Sequence, residues 1–227
     1  MDSSQRTAPL SNQPTPGAPG AVRVLCVYGS PRAGGNTDRL MDALAEGIEQ
    51  AGGRAERVYL RQLKISPCRE IYACKDSGRC ALRDDMQPLY EALRDAHAIA
   101  LASPVMFYAV SAHAKAFIDR CQAFWCLKHL GGQSANRTPL AVRKGVFLSV
   151  GGSKGEKIFE GPLLTFRYFL ETLDAVPWKA LTYREIDRQG DVERHPEALC
   201  EARELGAALV EAVRADLSEA HHGTPQD

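Results

Sequence analysis

Nine consecutive residues, Gly29-Ser30-Pro31-Arg32-Ala33-Gly34-Gly35-Asn36-Thr37, combine small side chains with two hydroxyls, an amide and a guanidinium. A stretch of this composition can hold an oxyanion. Small residues let backbone N–H groups face a ligand, and a helix starting there adds the positive end of its dipole. Ser30, Asn36 and Thr37 bring further donors, and Arg32 brings charge. The simplest guest is a phosphate monoester. No Gly-Lys-Ser/Thr is present, which argues against a nucleoside-triphosphatase loop. There is no G-x-G-x-x-G either, and the second candidate strand runs into Arg61 and Gln62 where a dinucleotide site would prefer an acid. Two other short stretches carry loop chemistry, Ser103 to Ser111 and Gly151 to Lys154.

The elements that must position these loops are readable from periodicity. Val22 to Val27 is a short apolar run, as expected of a strand buried on both faces of a parallel sheet. A helical pattern follows through Leu40, Met41, Leu44 and Ile48 and closes at Gly52-Gly53. Further strands are expected at Arg54–Leu60, His97–Ser103, Gly145–Val150 and Trp178–Tyr183. Helices are expected after Asp84 or Asp85, from about Ser111 to Trp125, from Gly161-Pro162, and from Pro196. Residues 61 to 83 read as a cysteine-bearing loop and 126 to 144 as a polar excursion. Strands alternating with helices imply a three-layer α/β fold with a five-stranded parallel sheet, whose ligands bind beyond the carboxyl ends of the strands.

Composition sets the bounds. A chain of 227 residues suits one domain, expected over 21–217, between a Pro-rich disordered leader (1–20) and a disordered tail (218–227). Lys plus Arg equals Asp plus Glu, 28 each, so no global field attracts nucleic acid or anionic membrane. No apolar run reaches the ~20 residues of a membrane span. Seven cysteines, an odd number in a chain too long to need disulfide staples, fit a reducing cytoplasm.

The intervals between Gly29-Ser30-Pro31-Arg32, Gly35-Asn36-Thr37, Asp84-Asp85-Met86, Ser103-Pro104-Val105-Met106-Phe107-Tyr108 and Lys115–Arg120 resemble the flavodoxin-like NAD(P)H-dependent FMN reductase family, near its iron–sulfur flavoprotein branch. The resemblance implies a flavodoxin-like fold with strand order 2-1-3-4-5 and non-covalent FMN. It implies phosphate contacts from Ser30, Arg32, Gly35, Asn36 and Thr37, and ring contacts from Pro104, Val105, Met106, Phe107, Tyr108, Gly151, Gly152 and Ser153. NADH or NADPH would be a transient co-substrate, with electrons passing to a quinone, free flavin or other small acceptor. A homodimer or homotetramer is also implied, with Phe124 and Trp125 on an apolar surface. Alternatively, Met106 and Phe107 simply pack beneath a loop. Lys115 and Asp119 read as a surface ion pair and His97 as structural.

Iron–sulfur members carry Cys-x2-Cys-x2-Cys-x5-Cys. Here Ile71 occupies the second position, leaving Cys68, Cys74 and Cys80, so a four-iron cluster is disfavoured. Free thiols are expected, with Cys74 and Cys68 packed beneath Tyr72; zinc is a minor alternative. Two other readings use the cysteines. An iron–sulfur-type electron carrier or a flavin/thiol redox sensor would use the cysteine loop. A low-molecular-weight tyrosine phosphatase would use Cys26 and Arg32, which have its Cys-x5-Arg spacing. Against the phosphatase stand Ala33, where that pattern has Ser or Thr, the apolar flanks of Cys26, and the lack of an Asp-Pro pair.

Overall fold

In a computed structural model the described residues are 20–222, with side chains through Ala220. Five strands form one sheet: β1 Arg23–Tyr28, β2 Arg54–Tyr59, β3 Ala98–Ala102, β4 Arg143–Gly151 and β5 Ala175–Arg184. Every pairing is parallel, in the order β2-β1-β3-β4-β5. The helices are α1 Asn36–Gln50, α2 Ala73–Ser77, α3 Gln87–Asp95, α4 Ala112–Arg120, α5 Gln122–His129, α6 Glu160–Glu171 and α7 Pro196–His222.

Alternation along the strands builds two cores. Val24, Cys26 and Tyr28 of β1 face α1 and α7, where Leu40, Met41, Leu44, Leu209 and Val213 close one layer. Leu25 and Val27 face the other side, with Leu93, Phe117, Phe166 and Leu170 from α3, α4 and α6. This is the period-2 geometry of a strand with both faces covered. Helices α1 and α7 touch backbone to backbone. A Cβ on Gly47 would lie 1.9 Å from the Arg203 carbonyl oxygen, and one on Gly206 would lie 2.1 Å from that of Leu44. Only glycine permits that approach.

Arg143, fully buried at the start of β4, caps two helix ends. Its guanidinium donates to the Leu93 and Ala96 carbonyls at the end of α3 (2.6 and 3.0 Å) and to the Leu173 carbonyl after α6. A cation suits those dipole ends. Burial lowers its pKa to about 10 nonetheless, with Asp174 pulling the other way.

Three expectations need correction. The helix expected over Ser111–Trp125 is two helices, because the chain turns at Cys121, whose N–H bonds the Ile118 carbonyl at 2.9 Å. The tail expected from Ser218 is helical to His222, held by packing of Leu217 and by the Lys144–Asp216 ion pair. Neither Asp84 nor Asp85 is an N-cap; Met86 precedes α3 without a side-chain cap, and Asp84 instead accepts from the Met86 N–H (3.1 Å). The expected leader, except Gly20, and residues 223–227 lie outside the described residues.

Candidate functional site

The loops after β1, β3 and β4 meet at the carboxyl edge of the sheet, where the chain departs from β1 to β2 on one side and to β3 on the other. Direct bonds stitch them together. Gly29 N–H donates to the Ala102 carbonyl (2.7 Å), and the Ser111 hydroxyl donates to the Gly29 carbonyl. Ser103 N–H reaches the Leu148 carbonyl and Val105 N–H the Val150 carbonyl, both at 3.0 Å. The Ser149 hydroxyl closes on the Ser103 carbonyl at 2.7 Å. At Gly29 any Cβ would stand 2.7 Å from the Ala102 oxygen, so the first loop and β3 are in contact through a missing side chain.

The first loop presents donors. Gly35 precedes α1 with no side-chain cap, so the N–H groups of Asn36, Thr37 and Asp38 face the loop without an intrahelical acceptor. Thr37 is buried, and its hydroxyl makes no hydrogen bond among the described residues. Ser30, also buried, shapes the turn, accepting from the Arg32 N–H at 3.1 Å. Arg32 is exposed at the rim. The Asn36 side chain is engaged elsewhere. It donates to the Arg188 carbonyl (2.8 Å) and accepts from the Gly190 and Val192 N–H groups (3.1 and 3.3 Å), so its backbone N–H is what it offers the loop.

Two contributors were not visible in the sequence. The loop after β5 lies against the first loop through Asn36 and through Gln189, whose amide is 3.4 Å from the Ala33 and Gly34 carbonyls. Asp38 accepts from Gly34 N–H (3.0 Å) and pairs with Arg61 (2.9 Å), while its other oxygen is buried without a partner. Burial pushes the Asp38 carboxyl up, opposed by Arg61 and Gly34. The only prior signals were Gly190 in a polar run and an acid in the first helical turn.

The loop after β3 ends in a two-residue hairpin. Met106 and Ala109 exchange N–H to carbonyl bonds of 2.9 and 3.0 Å, with Phe107 and Tyr108 both at positive φ (49° and 59°). This is the pattern of a type I′ turn, for which Asn-Gly would be the unstrained pair. Phe107 is fully exposed, Met106 and Tyr108 about half so, and none packs beneath a loop. Two aromatic side chains are thus held out on a strained turn.

Cys26 is sealed inside β1, its nearest polar contact the Val24 carbonyl at 3.8 Å, and burial pushes its thiol up to about 12. It cannot serve as a thiolate nucleophile, which removes the phosphatase reading. Lys115 and Asp119 form the expected exposed pair (2.6 Å), and His97 Nδ1 accepts from the Arg23 N–H (2.9 Å), a structural role.

The cysteine loop borders a separate groove of ≈ 770 Å³ between α2, α4, α5 and α6, which shares no lining residue with the three strand-end loops. Cys74 points at Cys126 of α5, with a sulfur separation of 3.7 Å, rather than packing beneath Tyr72, which is half-exposed. Cys80 sits against the Tyr90 hydroxyl and the Arg120 guanidinium. Among the described residues no three Cys, His, Asp or Glu side chains gather to hold a metal. The donor set itself is short for a four-iron cluster: Cys68, Cys74 and Cys80 offer three thiols, and Ile71 at the second position has no donor atom. Phe124, expected on the surface, is buried edge-on against Tyr90 (5.3 Å), while Trp125 is exposed.

The sheet order and the position of the loops define a flavodoxin-like fold. At the level of sequence, residues 22–163 match the NADPH-dependent FMN reductase family, and the chain belongs to it. An iron–sulfur flavoprotein of Archaeoglobus fulgidus is 36% identical over 99 residues, 44% of this chain and 45% of that one. A Bacillus subtilis protein, YwqN, provisionally named as an NAD(P)H-dependent FMN-containing oxidoreductase, is 25% identical over 81% of this chain and 96% of its own. The chain spans between 45% and 65% of the length of the first iron–sulfur flavoproteins it matches. In fold it is similar to an NAD(P)H:quinone oxidoreductase from Methanothermobacter marburgensis, with a TM-score of 0.62 and 18% identity over 83% of this chain and 99% of that one.

Proposed function

We propose that this chain is an FMN-dependent NAD(P)H oxidoreductase delivering electrons to a small acceptor such as a quinone or free flavin. The observation that carries the reading is the uncapped start of α1, with its row of free N–H groups, set beside an exposed aromatic turn on the same sheet edge. A flavin mononucleotide has the two matching parts, a phosphate monoester and a flat ring. When bound, it supplies the hydride and electron chemistry.

The chain's own residues bind and orient. In this reading the N–H groups of Asn36 and Thr37, the Ser30 and Thr37 hydroxyls and the Arg32 guanidinium hold the phosphate, while Gly35, whose own N–H bonds the Arg32 carbonyl at 3.4 Å, lets the backbone come close to it. Pro104 to Tyr108 line one side of the ring, and Gly151, Gly152 and Ser153 its other edge. The nicotinamide docks transiently, since no second mononucleotide loop exists among the described residues. No described helix is long and apolar enough to cross a membrane, and all seven cysteines are free thiols; we place the protein in the reducing cytoplasm. Exposed Ile71, Tyr72, Trp125 and Tyr168 along the groove support a homodimer or a tetramer of dimers, which light scattering at micromolar concentration tests.

The decisive test is the visible spectrum of the purified protein after addition of FMN, followed by NADH or NADPH under anaerobic conditions. Flavin absorbance that stays with the protein and bleaches with a nicotinamide is the expected result. Failure to retain FMN overturns the reading. Retention without bleaching leaves an electron carrier or sensor.

A further inference from the structure

We propose that Cys74 and Cys126 are a site of oxidative modification, closing to an intrachain disulfide when the protein meets peroxide and thereby clamping the cysteine loop onto α5. The two sulfurs lie 3.7 Å apart as unbonded thiols, on elements 52 residues distant in sequence. Bond formation requires them to approach by roughly 1.7 Å, to a length of about 2.05 Å.

The seating of α2 on α5 makes that approach a local event. One turn after Cys74, a Cβ on Gly78 would stand 2.7 Å from Leu127 Cδ1, so the loop backbone rests directly on the Leu127 side chain of α5. Helix α2 has only five residues, no side-chain cap, and a left-handed residue at each end, Tyr72 (φ 65°) and Gly78 (φ 63°). Short elements of this kind open without global unfolding.

The other thiols have competing surroundings. Cys26 and Cys121 are sealed in the core, Cys80 is held against Tyr90 and Arg120, and Cys200 faces Glu204 on α7. Cys68 is the one further sulfur at the groove whose surroundings leave it uncommitted, which makes it the control.

Access sets the order of events. Cys74 lines the groove, whereas Cys126 is buried behind it. The Cys74 sulfur attacks the peroxide O–O bond, giving a sulfenic acid and one water. The Cys126 sulfur then attacks the sulfenic sulfur, forming the S–S bond and releasing a second water. Two thiols are oxidised by two electrons and one peroxide is reduced. Burial, then the contact with Cys126, pushes the Cys74 thiol up to about 11, so the reactive thiolate is scarce at neutral pH and sustained peroxide is required.

The proposal does not depend on FMN binding and is tested without it. Reduced full-length protein is treated with hydrogen peroxide, alkylated under denaturing conditions, and digested with trypsin without reductant. The expected result is loss of alkylation at Cys74 and Cys126 together, with the peptide 70–75 joined to the peptide 121–128 and fragment ions placing the bond at Cys126. Dithiothreitol should restore both thiols. In C126S, folded as judged by circular dichroism, Cys74 should instead be trapped by dimedone as its sulfenic acid. The proposal is overturned if Cys74 links to Cys68 or Cys80. It is equally overturned if both thiols remain fully alkylated.

Discussion

Removing Asp84 should cost more than almost any other single side chain at the edge of this fold. Arg120 is fully buried, and its guanidinium donates to Asp84 Oδ2 (2.6 Å), to the Ser66 carbonyl (2.9 Å) and to the Leu82 carbonyl (3.4 Å). Asp84 in turn accepts from the Ser66 and Met86 N–H groups at 2.9 and 3.1 Å. Asp84→Ala therefore leaves a buried cation with neutral partners only and orphans two backbone donors. Breaking one side of such a pair costs about 3–5 kcal/mol, a large share of a total of roughly 5–15 kcal/mol. For a chain of this size that is a fall in Tm of roughly 6–20 °C, read by circular dichroism melting. Replacing both partners removes the unpaired charge, so Asp84→Ala/Arg120→Met should lose clearly less than the sum of its single variants. A shift of less than ~2 °C for Asp84→Ala, or strict additivity in the cycle, would refute the reasoning.

Acid should act on the same pair. Burial raises the Asp84 carboxyl, but Arg120 and two N–H groups outweigh it and hold the net value below the ordinary 3.8; Asp174 is lowered likewise by Ser134, Lys128 and Arg143 against burial. The stabilisation is thus complete above about pH 4 and lost as pH falls through the folded values, which urea melts across that range will show. Phe107→Asn/Tyr108→Gly relaxes two positive-φ residues and should stabilise the fold by roughly 1–2 kcal/mol, read by urea melts, while weakening FMN binding in a fluorescence titration; unchanged flavin affinity would remove any role of this turn in holding the ring. Gly29→Ala drives a Cβ onto the Ala102 oxygen and should cost about 1–3 kcal/mol of stability together with FMN affinity. Cys26→Ala should leave nicotinamide-driven flavin reduction intact, at a stability cost measurable by melting.

Much of the sheet was legible because strand burial is a local property of the chain. Val24 to Val27 and Ala98 to Ala102 are continuous apolar runs, and only a doubly covered strand accommodates them. The fifth strand reads shorter than it is. Pro177 interrupts the pattern, yet it pairs opposite Gly145 next to a register shift on an edge strand, where a missing N–H is tolerated. The division of α4 from α5 left no trace, since apolar spacing continues smoothly across Cys121; Phe124 turns inward as a consequence. In the loop after β1, residue types were readable but orientation was not. Where the Asn36 amide points is decided by a loop some 152 residues further along the chain, and no local pattern carries that information.

Four of the six described non-glycine residues at positive φ gather in two loops, the other two, Asp174 and Glu185, flanking β5. Phe107 and Tyr108 hold positive φ at the end of β3, and Glu70 and Tyr72 hold it in the cysteine loop. Each bulky residue in that region costs about 1–2 kcal/mol, so neither turn is the conformation its own sequence prefers. At β3 it is held by the bonds from Val105 to Val150 and between Met106 and Ala109, and the result is an exposed aromatic turn on the same sheet edge as the uncapped start of α1. In the cysteine loop Tyr72 leads directly into α2, which rests on α5 through Gly78 and Leu127 and carries a pair of sulfurs 3.7 Å apart. The two loops are separated by α4. Ser111, at its start, bonds the loop after β1 through Gly29, while Arg120, at its end, is bound to the cysteine loop and the residue after it through Ser66, Leu82 and Asp84. One nine-residue helix thus ties the strand-end loops to the cysteine loop. A change that loosens Arg120 therefore reaches the cysteine loop first, and the loop after β1 only through the length of α4.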